Sequence, residues 1–226
     1  MNATENLDQK DLKEIQVKQN IYDENNRQAK QTADQLKHRN IFTFNVMGAP
    51  GAGKTSSLIQ IIQRWPDRAI YVIEGDIESD IDTRTLQSLK IPTYQINTNG
   101  ACHLDAPTIS ASLVKMIIPD GSLLFIENIG NLVCPAEFNI GEHQKMLVCS
   151  VSEGSDKPYK YPLIFERADC ILLNKWDLRP YVDFDYNFFT KGIRALNPKS
   201  PIFPVSSKTG EGFDAVVQWL SQRIQK

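Results

Sequence analysis

Extended apolar runs alternate with helically spaced apolar positions along most of the chain. Residues 41–46, Ile-Phe-Thr-Phe-Asn-Val, alternate and are rich in β formers, which predicts a first strand. Residues 56–62 then carry their apolar side chains at helical spacing. Further strands are predicted at 69–73, 93–97, 122–126, 146–151, 170–173 and 202–205. Helices are predicted between most of them, most clearly over 79–89 and 106–118, the second opened by Asp105 and closed before Pro119 and Gly121. This alternation is the mark of a mostly parallel sheet wound by crossover helices, an α/β fold of three layers. Residues 1–40 break the pattern. They are polar and charged, with sparse apolar positions such as Leu12, Ile15, Ala29, Ala33 and Leu36, and predict one or two weakly amphipathic helices ahead of a body at 41–226. No internal repeat is visible.

Length and composition narrow the classes. A chain of 226 residues suits one α/β domain with an appendage. With 25 basic against 27 acidic residues there is no basic stripe to carry a nucleic-acid partner. The polar N-terminus lacks the apolar stretch of a signal peptide, and no apolar run approaches a membrane span, so a cytoplasmic protein without a membrane partner is expected. Four scattered cysteines, Cys102, Cys134, Cys149 and Cys170, do not make a disulfide scaffold and read as core residues, ligands or nucleophiles.

The strongest short signal follows the first strand. Gly48-Ala49-Pro50-Gly51-Ala52-Gly53-Lys54-Thr55 fits the phosphate-loop pattern G-x-x-x-x-G-K-[ST], with a strand before it and a helix from about Ser56 after it. Backbone N–H groups at a helix start hold phosphate, Lys54 reaches the terminal phosphates, and the Thr55 hydroxyl serves Mg²⁺. In open α/β sheets ligands sit beyond the carboxyl ends of the strands. There the chain has Glu74-Gly75-Asp76, with Asp80 and Asp82 nearby, and Glu127-Asn128-Ile129-Gly130. Asp76 and Glu127 are the predicted carboxylates for Mg²⁺, a hard cation that needs only one or two of them beside phosphate and water. After the sixth strand, Asn174-Lys175-Trp176-Asp177 matches N-K-x-D. A carboxylate at Asp177 accepts two hydrogen bonds from the guanine N1 and amine edge, a donor pair that adenine lacks. Asn174 and the Lys175 stem brace the loop and cover the base, and Ser206 follows the last strand where a backbone contact to the guanine oxygen is placed. GTP or GDP is the expected ligand.

Cys102-His103 and Cys134 lie on the same edge, after the third and fourth strands. Two thiolates and an imidazole suit Zn²⁺ or Ni²⁺, and three donors leave a tetrahedral shell incomplete, to be closed by water or a second subunit. Core thiols beside a loop histidine are the alternative on spacing alone. Cys149 and Cys170 fall in apolar strands and are expected in the core, while His38 and His143 are expected at the surface.

Four segments together carry a family resemblance: Glu74-Gly75-Asp76, 102–106, 127–135 and 153–162. In their order and spelling they closely resemble the HypB proteins, the GTPases that assist nickel insertion into [NiFe]-hydrogenases, from about residue 20 to the C-terminus. The resemblance implies a SIMIBI-type G domain, Mg²⁺-dependent GTP hydrolysis, a homodimer formed on GTP binding, and an exchangeable Ni²⁺ or Zn²⁺ on Cys102, His103 and Cys134. It also implies two partners, a HypA-type zinc metallochaperone and the hydrogenase large-subunit precursor, and a cross-dimer role for Lys157 or Lys160. With only His38 and no cysteine in residues 1–40, nickel storage at the N-terminus is not expected. Ala52 stands where serine is frequent, which keeps the backbone N–H groups, and the approach 98–101 to Cys102 departs from the usual glycine-rich form. No glutamine beside Gly130 and no assignable arginine finger predict slow intrinsic turnover, with Lys54 and Mg²⁺ stabilising phosphate charge and Asp76 orienting water. A urease-type nickel GTPase has Cys-Pro-His where this chain has Cys134-Pro135-Ala136, and an ATP-dependent kinase has no need of Asn174 to Asp177.

Overall fold

A computed structural model describes residues 9–76, 80–98 and 100–224, with the side chains of 9–15 and 18 left aside. Leu12, Ile15, Ser79 and Asn99, named above, therefore lie wholly or in their side chains outside the described residues. The strands are β1 (Phe42–Gly48), β2 (Ile70–Asp76), β3 (Thr93–Asn97), β4 (Leu123–Glu127), β5 (Gln144–Ser150), β6 (Cys170–Asn174) and β7 (Ile202–Pro204). They form one sheet in the order β3-β2-β4-β1-β5-β6-β7, and every ladder is parallel. An isolated antiparallel bridge joins Gly48 and Asn131. A parallel sheet covered on both faces has near-continuous apolar strands, as seen in β4 and β6, all of whose residues are buried.

The helices are α1 (Gln9–His38), α2 (Lys54–Gln63), α3 (Ile81–Ser88), α4 (Ala106–Lys115), α5 (Cys134–Glu137), α6 (Lys157–Lys160), α7 (Pro162–Arg167), α8 (Tyr186–Leu196) and α9 (Phe213–Ile224). Three apolar clusters fill the two layers. Phe44, Leu58, Phe125 and Phe213 centre the first, under α2 and α9. Leu147, Phe165 and Phe189 centre the second, and Ile73, Leu104, Ile109 and Leu124 the third.

Several predicted boundaries move. Strands β2 and β4 run on to Asp76 and Glu127, so Glu74, Asp76 and Glu127 are strand residues and not loop residues. Helix α4 stops at Lys115 because Met116 turns extended, and its start is capped as predicted, Asp105 Oδ1 accepting from Thr108 N at 2.9 Å. Strand β5 begins two residues earlier than predicted, and Val151 opens a 3₁₀ turn. The polar N-terminal segment is one helix of 30 residues, packed through Ala29, Thr32 and Leu36. Among the described residues no helix is long and apolar enough to cross a membrane. Cys149 and Cys170 are buried in the core. His143 is not the free surface residue expected: it is half-buried, its Nδ1 accepts from Thr43 N at 3.1 Å, and its ring stacks on Phe42.

Candidate nucleotide and metal sites

At the end of β1 the chain turns into α2 without a capping side chain or an acidic residue in the first helical turn. The free N–H groups of that turn therefore keep their partial positive charge for an anion. Gly53 makes the turn possible. Its φ is +94°, and a Cβ there would lie 2.3 Å from the Asn174 amide nitrogen. Asn174, fully buried, donates to Ala52 O at 2.9 Å and accepts from Ser207 N at 2.9 Å. It is thus a brace between the phosphate loop and the segment after β7. Lys175 holds a left-handed φ of +58°, and Asp177 Oδ1 accepts from the buried Ser206 hydroxyl at 2.6 Å. Sequence reasoning gave Ser206 a backbone role; its side chain also aims the carboxylate. Gln60 of α2 donates to Ser207 O in the same segment, and Arg64, just past the end of α2, donates to Gly210 O.

On the other side of Lys54, a cleft of about 250 Å³ is lined by Pro50, Lys54, Glu74, Asp76, Asp82 and Glu127, among others. The Thr55 hydroxyl donates to Glu127 Oε1 at 2.8 Å, while Glu127 Oε2 is buried with no hydrogen-bond partner. A buried carboxylate oxygen without a partner is costly unless a cation meets it. Burial pushes the Glu127 carboxyl up to about 7, against the pull of Lys54 and the Thr55 bond. Glu74 is likewise raised to about 7, mainly by burial, although Thr83 donates to it at 2.6 Å. Carboxyl oxygens of Glu74, Asp76 and Asp82 lie within 4.8 Å of one another. The donor set, hard oxygens around an unmatched buried charge, fits Mg²⁺.

Cys102, His103 and Cys134 do come together. Their ligand atoms lie within 4.8 Å of one another, with Cys102 Sγ 3.0 Å from Cys134 Sγ and 3.5 Å from His103 Nδ1. Two thiolates on one tetrahedral Zn²⁺ stand about 3.7 Å apart, so the pair needs to open by less than about 1 Å to take an ion. The set fits a borderline or soft divalent metal. Burial lowers the His103 imidazole below its ordinary value, favouring the neutral ring that a metal requires. The Cys134 thiol is raised, first by its hydrogen bond with Cys102 and then by burial.

The segment from Glu127 to Cys134 links the two sites, and sequence reasoning missed the part that two of its asparagines play in the link. Gly130 lies so close to the phosphate loop that a Cβ there would meet Pro50 N at 2.8 Å. Asn131 N donates to Gly48 O at 3.0 Å, Asn131 Nδ2 donates to Cys102 O at 3.3 Å, and Asn131 Oδ1 accepts from Val133 N at 2.8 Å. Buried Asn128 accepts from Leu104 N at 3.0 Å and donates to Asn45 Oδ1 at 3.1 Å. Asparagines in a turn are common, and no spacing signal marks these two. Lys157 and Lys160 are the first and last residues of α6. Lys160 pairs with Asp156 at 2.5 Å, and the Lys157 ammonium lies 5.8 Å from the Tyr161 ring centre.

Residues 42–204 match the family model described as CobW/HypB/UreG, nucleotide-binding domain. The chain is 40% identical over 210 residues to the hydrogenase maturation factor HypB of Azotobacter vinelandii, covering 92% of this chain and 69% of that protein. Its structure resembles that of HypB from Helicobacter pylori in complex with nickel, with a TM-score of 0.84, 31% identity, and 89% and 95% of the two chains covered. HypB from Archaeoglobus fulgidus matches with a TM-score of 0.82 and 35% identity, over 89% of this chain and 98% of that one.

Proposed function

The chain belongs to the HypB family of hydrogenase maturation factors, within the CobW/HypB/UreG nucleotide-binding proteins, and from that premise we propose that it is a GTP-hydrolysing metallochaperone for nickel. The reading rests above all on Asn131, whose backbone is bonded to the phosphate loop at Gly48 and whose side chain is bonded to the metal loop at Cys102. A nucleotide that moves one loop therefore acts on the other.

In this reading Asp177 reads guanine, aimed by Ser206, while Asn174 and Lys175 brace and cover the base. Gly48, Gly51, Ala52, Gly53, Lys54, Thr55 and Ser56 wrap the phosphates, and Lys54 draws charge from the leaving and transferred groups. Thr55, Glu127 and Asp76 would hold Mg²⁺, which when bound neutralises charge on the phosphate oxygens. Asp76 orients the attacking water. With no glutamine beside Gly130 and no assignable arginine finger in the sequence, intrinsic hydrolysis is slow in this reading. Cys102, His103 and Cys134 hold nickel or zinc, and the open fourth position is filled by water or by a second copy of the chain in the GTP state. A HypA-type zinc protein supplies or receives the metal, and the hydrogenase large-subunit precursor is its destination.

The test is the dissociation constant of Ni²⁺ and of Zn²⁺ measured with GDP and with a non-hydrolysable GTP analogue. A difference of about fivefold or more is expected, the lower bound of ordinary allosteric coupling. Equal constants in the two nucleotide states would remove the switch from the reading.

A further inference from the structure

The N-terminal helix reaches both metal-bearing loops. Asn25, 3% exposed, donates through Nδ2 to Asn139 O at 2.8 Å and accepts through Oδ1 from Ala106 N at 2.9 Å. Ala106 is three residues after His103, and Asn139 is five residues after Cys134. One buried amide thus spans the two segments whose spacing decides whether the ligands can share an ion. Three residues earlier on α1, the Tyr22 ring stacks on Phe138 with centroids 4.9 Å apart, and Phe138 stacks in turn on His103 at 4.0 Å. The Tyr22 hydroxyl donates to Glu137 Oε2 at 2.8 Å, on α5, the short helix that Cys134 opens. Lower down, Gly141 approaches α1 so closely that a Cβ there would meet Thr32 Cγ2 at 2.7 Å, which fixes the helix against the end of the second loop.

We infer that α1 is a clasp for the metal site, in which Asn25 sets the separation of the Cys102-His103 and Cys134 loops and Tyr22, through Phe138, sets the plane of the His103 ring. The inference rests on the reading of Cys102, His103 and Cys134 as metal ligands. Tyr22, Asn25 and Phe138 are positioning residues: none is itself a donor in the set, and each acts through a ligand or its loop. Groups that orient ligating side chains typically change metal affinity ten- to a hundredfold when removed, although they never touch the ion. An amide is suited to the task. It offers a donor and an acceptor in one rigid plane, so it can pin two backbones at once, and no isosteric apolar side chain can do this.

The experiment uses the full chain and four variants, Asn25→Ala, Tyr22→Leu, Tyr22→Phe and the pair Cys102→Ala, Cys134→Ala. Zn²⁺ and Ni²⁺ dissociation constants are measured by chelator competition, the sulfur-to-nickel charge-transfer bands are recorded, and GDP affinity is taken in parallel. Asn25→Ala and Tyr22→Leu are expected to weaken Zn²⁺ and Ni²⁺ about tenfold or more and to alter the charge-transfer bands, with GDP affinity within about twofold of the parent. Tyr22→Phe, which keeps the ring stack, is expected to retain most of the metal affinity. Metal constants unchanged in both Asn25→Ala and Tyr22→Leu would overturn the clasp. So would a parallel loss of GDP affinity in both, which marks general loosening of the fold. Metal binding that survives in the Cys102→Ala, Cys134→Ala protein overturns the ligand assignment itself, a failure recognisable from that variant alone.

Discussion

In the proposed function Asp177 and Glu127 each act through a carboxylate. The Asp177 carboxylate is aimed by the Ser206 hydroxyl, and replacing it by Asn exchanges one acceptor oxygen for a donor facing the guanine amine edge. Asp177→Asn is expected to lower the preference for GTP over ATP roughly ten- to a hundredfold, the value of a lost hydrogen bond to a charged group. Competition binding with the two nucleotides measures it. Glu127 makes a prediction about pH. Its carboxyl ionises near 4.5 when exposed, and burial raises it to about 7 in the folded chain. Between those values the unfolded chain has given up the proton and the folded chain has kept it, so the contribution to stability is present at low pH and is lost as pH rises through about 7. Without nucleotide or divalent cation, the denaturation midpoint of the parent is expected to fall more between pH 5.5 and pH 7.5 than that of Glu127→Gln. Equal slopes would show that the unmatched oxygen carries no such cost.

Elements differ in how far their sequence reveals them. The strands were legible because most are apolar or alternating runs of β formers bounded by turn residues, and β4 and β6, covered on both faces, are apolar almost throughout. The phosphate-loop and N-K-x-D patterns were legible as spelling in a fixed place, and the structure puts them between β1 and α2 and at the end of β6. Helices α5, α6 and α7 were not, since four to six residues hold too few turns to show a period. The roles of Asn128 and Asn131 were hidden for a different reason. Their partners, Leu104, Asn45, Gly48 and Cys102, are remote in sequence and meet them only when the loops after β3 and β4 are set side by side. The link makes its own prediction. Asn131→Ala keeps all three metal ligands but removes the side-chain bonds to Cys102 O and Val133 N, so it should shrink the effect of GTP analogue on metal affinity toward unity. Gly130→Ala should act more severely and weaken nucleotide as well, because its Cβ would meet Pro50 N at 2.8 Å and Pro50 Cα and Cγ at 2.9 Å. Metal titrations of both variants in the two nucleotide states decide this.

At the scale of the molecule, the proposed nucleotide and metal sites share a frame, so the proposal requires their ligands to answer each other. If a GTP analogue changes the Zn²⁺ constant by some factor, Zn²⁺ must change the GTP-analogue constant by the same factor. Measuring both arms of the cycle on the same preparation checks this, and unequal factors would indicate a further linked equilibrium such as subunit pairing. The frame itself is assembled from distant parts of the chain. Strand β1 has β4 on one side and β5 on the other, and the phosphate loop at its end is fastened by Asn174 from β6 and indirectly by the segment after β7. Contacts so far apart in sequence close late in folding, after the loop entropy between them has been spent. A growing chain that ends short of residue 174 has the whole phosphate-loop motif but lacks the amide that braces Ala52. The shape of the phosphate loop, encoded in the first quarter of the chain, is thus completed only by a residue from the sixth strand.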